Sequence, residues 1–231
     1  MAAPFLLAFP SLSPEDFQHA CRAFLARVHA VGTSTVGWSS IRLTHPVYLA
    51  LSLLRHDPVG PVLKISRNID HAGMRQCDTA SPVDPEDTQL EATEDDLEAI
   101  VRPSDSSAAL QVDYEILLSP TYQVPVLYFM LRRGNQPGPM EIDAVYHYLV
   151  ADQYREELQA VGVMGGISLG YHPQSNTPIF FVHPCNTPDA MRQIAGHQNV
   201  TPEAYLIIWF GLIGNHLGLH LPSELLKDRE Q

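Results

Sequence analysis

Cysteine is scarce in this chain: Cys21, Cys77 and Cys185 are the three in 231 residues. The count is odd, and no two stand at Cys-x-x-Cys spacing. No disulfide framework or paired-thiolate motif is therefore encoded, and a reducing compartment fits. Cations are few as well, Lys and Arg totalling 14 against 26 Asp and Glu, for a formal charge of −12. Phosphate contacts need clustered cations, which argues against nucleic acid and against anionic membrane surfaces, and favours basic protein surfaces. A long unbroken apolar run is missing too. The longest, "AYLIIWFGLIGNHLGLHL" from Ala204 to Leu221, is interrupted by Asn215, His216 and further Gly and His residues. A membrane span wants about 20 apolar residues with few breaks, so this stretch reads as a buried helix. The N-terminal "MAAPFLLAFPSLSPEDF" lacks the basic n-region of a signal peptide. A cytoplasmic protein without stable membrane insertion is expected.

What is present suffices for a core: 45% hydrophobic and 17% charged residues. Ser13, Pro14 and the acids after them form a helix start, and Phe17, Ala20, Cys21, Phe24 and Val28 repeat at i, i+3, i+4 spacing, which makes Cys21 a core residue. "GWSSIRL" and "PVLKISRNI" predict strands, whereas 46–55 reads equally as helix or strand. From 70 to 107 the chain turns acidic and rich in Ser, Thr and Pro. This is expected to be a flexible insertion with a helical turn near 94–101 and an idle Cys77. Gln111 to Leu118 and Val124 to Leu131 predict a hairpin joined by "SPTYQ", with Pro125 at a strand start and the second strand covered on both faces. "PMEIDAVYHYLVADQYREEL" has helical spacing at Ile142, Val145, Tyr146 and Leu149. "ISLGYHPQSNTPIFFVHPC" predicts a second hairpin turning at "HPQSNTP". A short helix is expected after Pro188 and another from "TPEAY", capped by Thr201. The sum is one α+β domain over 1–231: a meander of strands, helices on one face, and an acidic insertion at 70–107.

The segment that carries chemistry is "FFVHPCNTPDAM", where Cys185 follows a strand. A free cysteine there can be a small buried hydrophobe. It can also be a nucleophile, since Pro184 and Pro188 stiffen its flanks and Asn186 and Thr187 place neutral hydrogen-bonding groups beside it. His183, two residues before it in an extended segment, faces the same side and either reaches the thiol or supports the loop. A thiol in neutral surroundings suits thiol-to-thioester exchange followed by attack of an amine, which needs positioning and oxyanion stabilisation more than a strong base. His216 and His220 stand at i, i+4 but lack a third ligand, so packing rather than zinc is expected. No metal or cofactor set is proposed.

"DYEILLSPTYQVPVLYF", "FFVHPCNT" and "YLIIWFGLIGNHLGLHLP", in this order and spacing, resemble the three signature segments of the autophagy-related protein 10 family. The likeness is strongest after residue 111 and does not extend to the acidic insertion. It implies a ubiquitin-conjugating (E2-like) α+β fold with extra β structure. It also implies that Cys185 accepts the ubiquitin-like autophagy-related protein 12 as a thioester from the E1-like autophagy-related protein 7. The modifier would then pass to a lysine of autophagy-related protein 5, with no cofactor on this chain. Ordinary E2 enzymes carry His-Pro-Asn upstream of the cysteine, whereas here His183-Pro184 directly precedes it. "HPQSN" (172–176) reads as a turn, so Gln174 and Asn176 are set aside. Tyr122 in "SPTYQVP" is the candidate supporting phenol, against packing of its turn; His183 is the candidate catalytic helper. Three other readings compete. One is an enzyme of the autophagy-related protein 3 type acting on a lipid headgroup, which should carry a lysine-rich amphipathic N-terminal helix. Another is a non-catalytic E2-like tether using exposed strand edges. The third is a cysteine hydrolase, which needs an oriented His.

Overall fold

The computed structural model describes residues 5–45, 60–69, 110–134, 141–161 and 166–226, with the side chains of 157–161 excepted. The 46–55 segment, the 70–107 insertion and Cys77 lie outside these. Helix α1 is Pro14–Val31 and starts on a full capping box: Ser13 Oγ accepts the Asp16 N–H, and the Asp16 carboxylate accepts the Ser13 N–H. Pro14 at the first position lacks an N–H that would have had no partner there. The five apolar positions read from the spacing are all buried. Full burial of one such large side chain contributes about 1.5–3 kcal/mol.

Strands β1 (Ser40–Thr44), β2 (Val62–Ile69), β3 (Leu110–Leu118) and β4 (Pro125–Arg133) form an antiparallel meander. Pro125 opens β4 opposite Leu118, where a missing N–H removes no internal rung. After β4 come helices α2 (Ile142–Leu149) and α3 (Asp152–Val161), then strands β5 (Ile167–Tyr171) and β6 (Pro178–Val182). The sheet order is β1-β2-β3-β4-β6-β5, so the meander expected from the sequence does not continue to the end. The chain passes through α2 and α3 to the edge, lays down β5, and returns as β6 beside β4. β6 takes the inner place because Phe180 stacks on the core residue Phe129 at 5.9 Å, while Leu169 and Tyr171 of β5 stay 61% and 69% exposed. The β4–β6 ladder consists of Tyr128↔Phe181 and Phe129↔Phe180 alone.

Alternation assigns the faces. Leu63, Ile65, Val112, Tyr114, Ile116, Leu127, Phe129, Leu131 and Phe180 point into one core with α1, α2 and the helices after β6, as an α+β layer requires. Those helices are α4 (Thr187–Ala195), α5 (Pro202–Trp209) and the short α6 (Ser223–Leu226). On β4 both faces are covered near the start, at Val126 and Leu127, but Tyr128 and Met130 are half-buried, so double coverage is partial. The opposite face carries polar rows. Lys64 Nζ donates to Glu115 at 2.7 Å, Arg132 pairs with Asp113, and Ser66 donates to Asp113 at 2.7 Å.

Two helices differ from the sequence reading. The 142–161 segment is two helices because Arg155 turns back: its Nε donates to the Tyr146 and Val150 carbonyls and its Nη2 to the His147 carbonyl, closing the end of α2. The 204–221 run is not one helix. Thr201 caps α5, which ends at Trp209; a π-helical turn spans Phe210–Gly214 and a 3-10 turn Asn215–Leu217. Gly218 then reverses the chain at φ 72°, and a Cβ there would stand 2.6 Å from Arg67 Nη2. His216 and His220 are thus not paired on a helix face. His216 packs edge-on to Tyr154 at 4.6 Å, and His220 Nδ1 lies 3.0 Å from Asn215 Oδ1. Trp209 and Phe210 are fully buried, as their spacing predicted.

Candidate active site

The two described cysteines occupy opposite environments. Cys21 is wholly buried on α1, and burial pushes its thiol up so far that it stays protonated. Cys185 is half-buried at the corner where β6 meets α4. That corner is tighter than the loop expected from its prolines. Pro184–Asn186 is a 3-10 turn that winds directly into α4, so Pro184 and Pro188 are first-turn prolines of a helical segment.

His183, the last residue before the turn, accepts the Cys185 N–H on Nδ1 at 3.2 Å. A neutral ring in this arrangement carries its proton on Nε2. His183 is therefore bonded to the backbone of Cys185, and the hydrogen bond recorded for the thiol goes elsewhere: Cys185 Sγ lies 3.6 Å from Asn186 Oδ1. Tyr122 stands edge-on to the His183 ring at 5.7 Å, 37% exposed. The structure thus brings Cys185, His183 and Tyr122 to one corner from two separate stretches of sequence.

The loop between β3 and β4 holds Tyr122 there. Ser119 Oγ accepts the Tyr122 N–H at 3.1 Å, the Ser119 carbonyl accepts the Gln123 N–H at 2.9 Å, and Gln123 sits at φ 54°, a conformation uncommon outside glycine. Leu12, just before α1, donates its N–H to the Gln123 carbonyl at 2.7 Å. Sequence reasoning missed Ser119, Gln123 and Leu12. The Ser-Pro pair opening the turn was a visible signal for Ser119; nothing local signalled Leu12.

His172, in the upstream "HPQSN", serves the β5–β6 turn. Its Nδ1 accepts the N–H groups of Gln174 and Ser175, each at 3.2 Å, and its Nε2 faces Glu115 at 3.2 Å. Burial pushes the Glu115 carboxyl up, but hydrogen bonds and charge from His172 and Lys64 outweigh this and hold it below the usual carboxylate range. These groups line a polar concavity of about 650 Å³ to which Cys185, His183 and Tyr122 do not contribute. Among the described residues no cluster of three metal-ligating side chains occurs, and no helix is long and apolar enough to cross a membrane.

A six-stranded antiparallel sheet with helices on one face, and a thiol where the last strand of the sequence leads into a helix, is an E2-like α+β arrangement. The family model described as "Autophagocytosis associated protein, active-site domain" matches residues 16–224. The ubiquitin-like-conjugating enzyme ATG10 of Gibberella zeae is 33% identical over 236 residues, covering 94% of this chain and 97% of that protein. ATG10 of Arabidopsis thaliana is 30% identical over 157 residues, with 62% and 68% covered. The human ATG10 is 29% identical over 150 residues, with 64% and 66% covered. The chain belongs to the ATG10 family of E2-like, ubiquitin-like-conjugating enzymes.

Proposed function

We propose that this protein takes autophagy-related protein 12 from the E1-like autophagy-related protein 7 as a thioester on Cys185. It then passes the modifier to a lysine of autophagy-related protein 5, in the cytoplasm. One observation supports this above the others: Cys185 is a half-exposed thiol held by a fixed turn, with a ring nitrogen committed to its backbone and an amide at its sulfur. Exchange between two thioesters is nearly balanced, so the site needs geometry more than a strong base.

In this reading His183 is a positioning residue. Its Nδ1 bond fixes the first turn of the helical segment and so the direction of the Cys185 side chain. Tyr122 buttresses that ring from outside. A cysteine hydrolase would need its histidine aimed at the thiol, and the recorded bond of His183 goes to the backbone instead.

The test is a charging assay on non-reducing gels with the E1-like enzyme, ATP and the modifier. A reducible adduct lost in Cys185→Ser and kept in Cys21→Ser is the expected result. A reductant-resistant ester on the introduced serine would strengthen it. A reducible adduct surviving Cys185→Ser, or binding without charging, would replace this reading by that of a tether working through the exposed β5 edge.

A further inference from the structure

We infer that Asn186 is a further catalytic residue: its side-chain amide hydrogen-bonds the oxyanion that forms when an amine attacks the Cys185 thioester. The inference rests on the proposed role of Cys185 and goes beyond it by naming the missing donor.

Three observations carry it. The Asn186 amide is the group that contacts the reacting sulfur, Oδ1 standing 3.6 Å from Sγ. That amide has no capping duty. Asn186 occupies the N-cap position of α4, where asparagine normally has extended backbone angles and accepts an N–H from the first turn. Here the preceding turn gives it φ −89° and ψ −12°, helical values, and its side chain makes no cap hydrogen bond. Finally, the simplest oxyanion donor at an acyl-transfer site, the backbone N–H of the nucleophile, is already taken by His183 Nδ1 at 3.2 Å.

The chemistry follows from what an amide can do. In the free enzyme the thiol donates to Oδ1. Acylation removes that proton, and Oδ1 loses its donor. A half-turn about Cβ–Cγ then exchanges the oxygen for the NH2 without moving the backbone. The lysine nitrogen attacks the thioester carbonyl carbon. The C–N bond forms as the carbonyl pair moves onto oxygen, which accepts an N–H from Asn186 Nδ2. The C=O then re-forms, the C–S pair leaves on sulfur as thiolate, and the surplus amine proton goes to water. The hydrogen bond gains most at the oxyanion, so it lowers the barrier more than it stabilises the thioester.

Asn186→Ala removes both amide groups, and Asn186→Asp keeps an acceptor for the thiol while losing the donor. Each variant is charged by the E1-like enzyme, the supply is stopped by chelating the magnesium, and discharge is followed with free lysine and with hydroxylamine. Discharge is read per charged molecule, so that slower charging of either variant does not enter the comparison. Both variants should discharge about 10- to 10²-fold more slowly to both nucleophiles, the scale of one oxyanion donor at a partly open site. Their melting midpoints should match the wild type, because the side chain is exposed and caps nothing. Wild-type discharge by Asn186→Ala overturns the inference. So does slowing seen with the protein acceptor alone, since that marks a docking contact. Failure of the underlying reading looks different: the wild-type chain itself forms no thioester.

Discussion

Cys21 and Cys185 are the same side chain in two settings, and the contrast separates a thiol enclosed in the apolar core from one held at a polar, half-open corner. Around Cys21 the chain supplies Phe17, Phe24 and Val28 on the same helix face, and Phe24 stacks on Phe210 at 4.7 Å. Desolvation keeps that sulfur a neutral hydrophobe. Around Cys185 the chain supplies an imidazole, an amide and a phenol, and leaves one side open. Volume is what matters at the first site. Direction is what matters at the second.

The contrast can be broken or sharpened by measurement, and the largest effect is in reactivity. With Cys77 replaced by Ala, a thiol reagent should modify Cys185 in the folded protein at least about 10³-fold faster than Cys21, whose exposure requires opening of the core helix. Equal rates by mass spectrometry would erase the distinction. Next comes packing: Phe24→Ala beside Cys21 should cost about 3–5 kcal/mol in a denaturant titration, while His183→Asn at the other corner should leave stability within about 0.5 kcal/mol. Cys21→Ser places a hydroxyl among apolar groups and should cost about 1–3 kcal/mol while leaving the charging of folded molecules intact. A loss of charging without a loss of stability would move Cys21 into the chemistry.

The smallest effect concerns pH. Glu115 is held below its ordinary value of 4.5, so its unfolded form binds the proton more readily than its folded form. Its contribution is complete above that value and disappears as pH falls through the lower folded one. Glu115→Gln should therefore flatten the acid limb of the stability curve below pH 4.5, and leave the Cys185 corner unchanged. An identical acid limb would show that the Lys64–Glu115–His172 row adds nothing.

Most of the elements were legible because their signals are local. The Ser13 cap, the Pro125 strand start, the turn at 172–177 and the buried stripe of α1 each follow from a few adjacent residues. The split of 142–161 turned on Arg155 reaching back to carbonyls a few residues away, but two other departures turned on contacts far along the chain. The inner place of β6 depends on Phe180 meeting Phe129, and the end of the buried run depends on Gly218 meeting Arg67. The site was legible in part for the same reason. Proline at 184 and 188 marked the corner, but periodicity said nothing of whether they stiffened a loop or opened a helix. That His183 serves the backbone of Cys185 while Asn186 serves its sulfur is a matter of ångströms, below the resolution of any spacing rule.

The short β4–β6 ladder has a mechanical meaning. From the exposed edge to the Cys185 thiol the route is one rung and three residues: Ile167 pairs with Val182, and His183, Pro184 and Cys185 follow. From that same edge to the meander the route crosses two residue pairs. The sheet is in effect a broad plate, β1 to β4, joined to a narrow one by two residue pairs and the Phe129–Phe180 stack, and the thiol stands at the corner of the narrow plate. A load applied along β5 crosses one rung to Phe180 and the core, and one rung and three residues to Cys185.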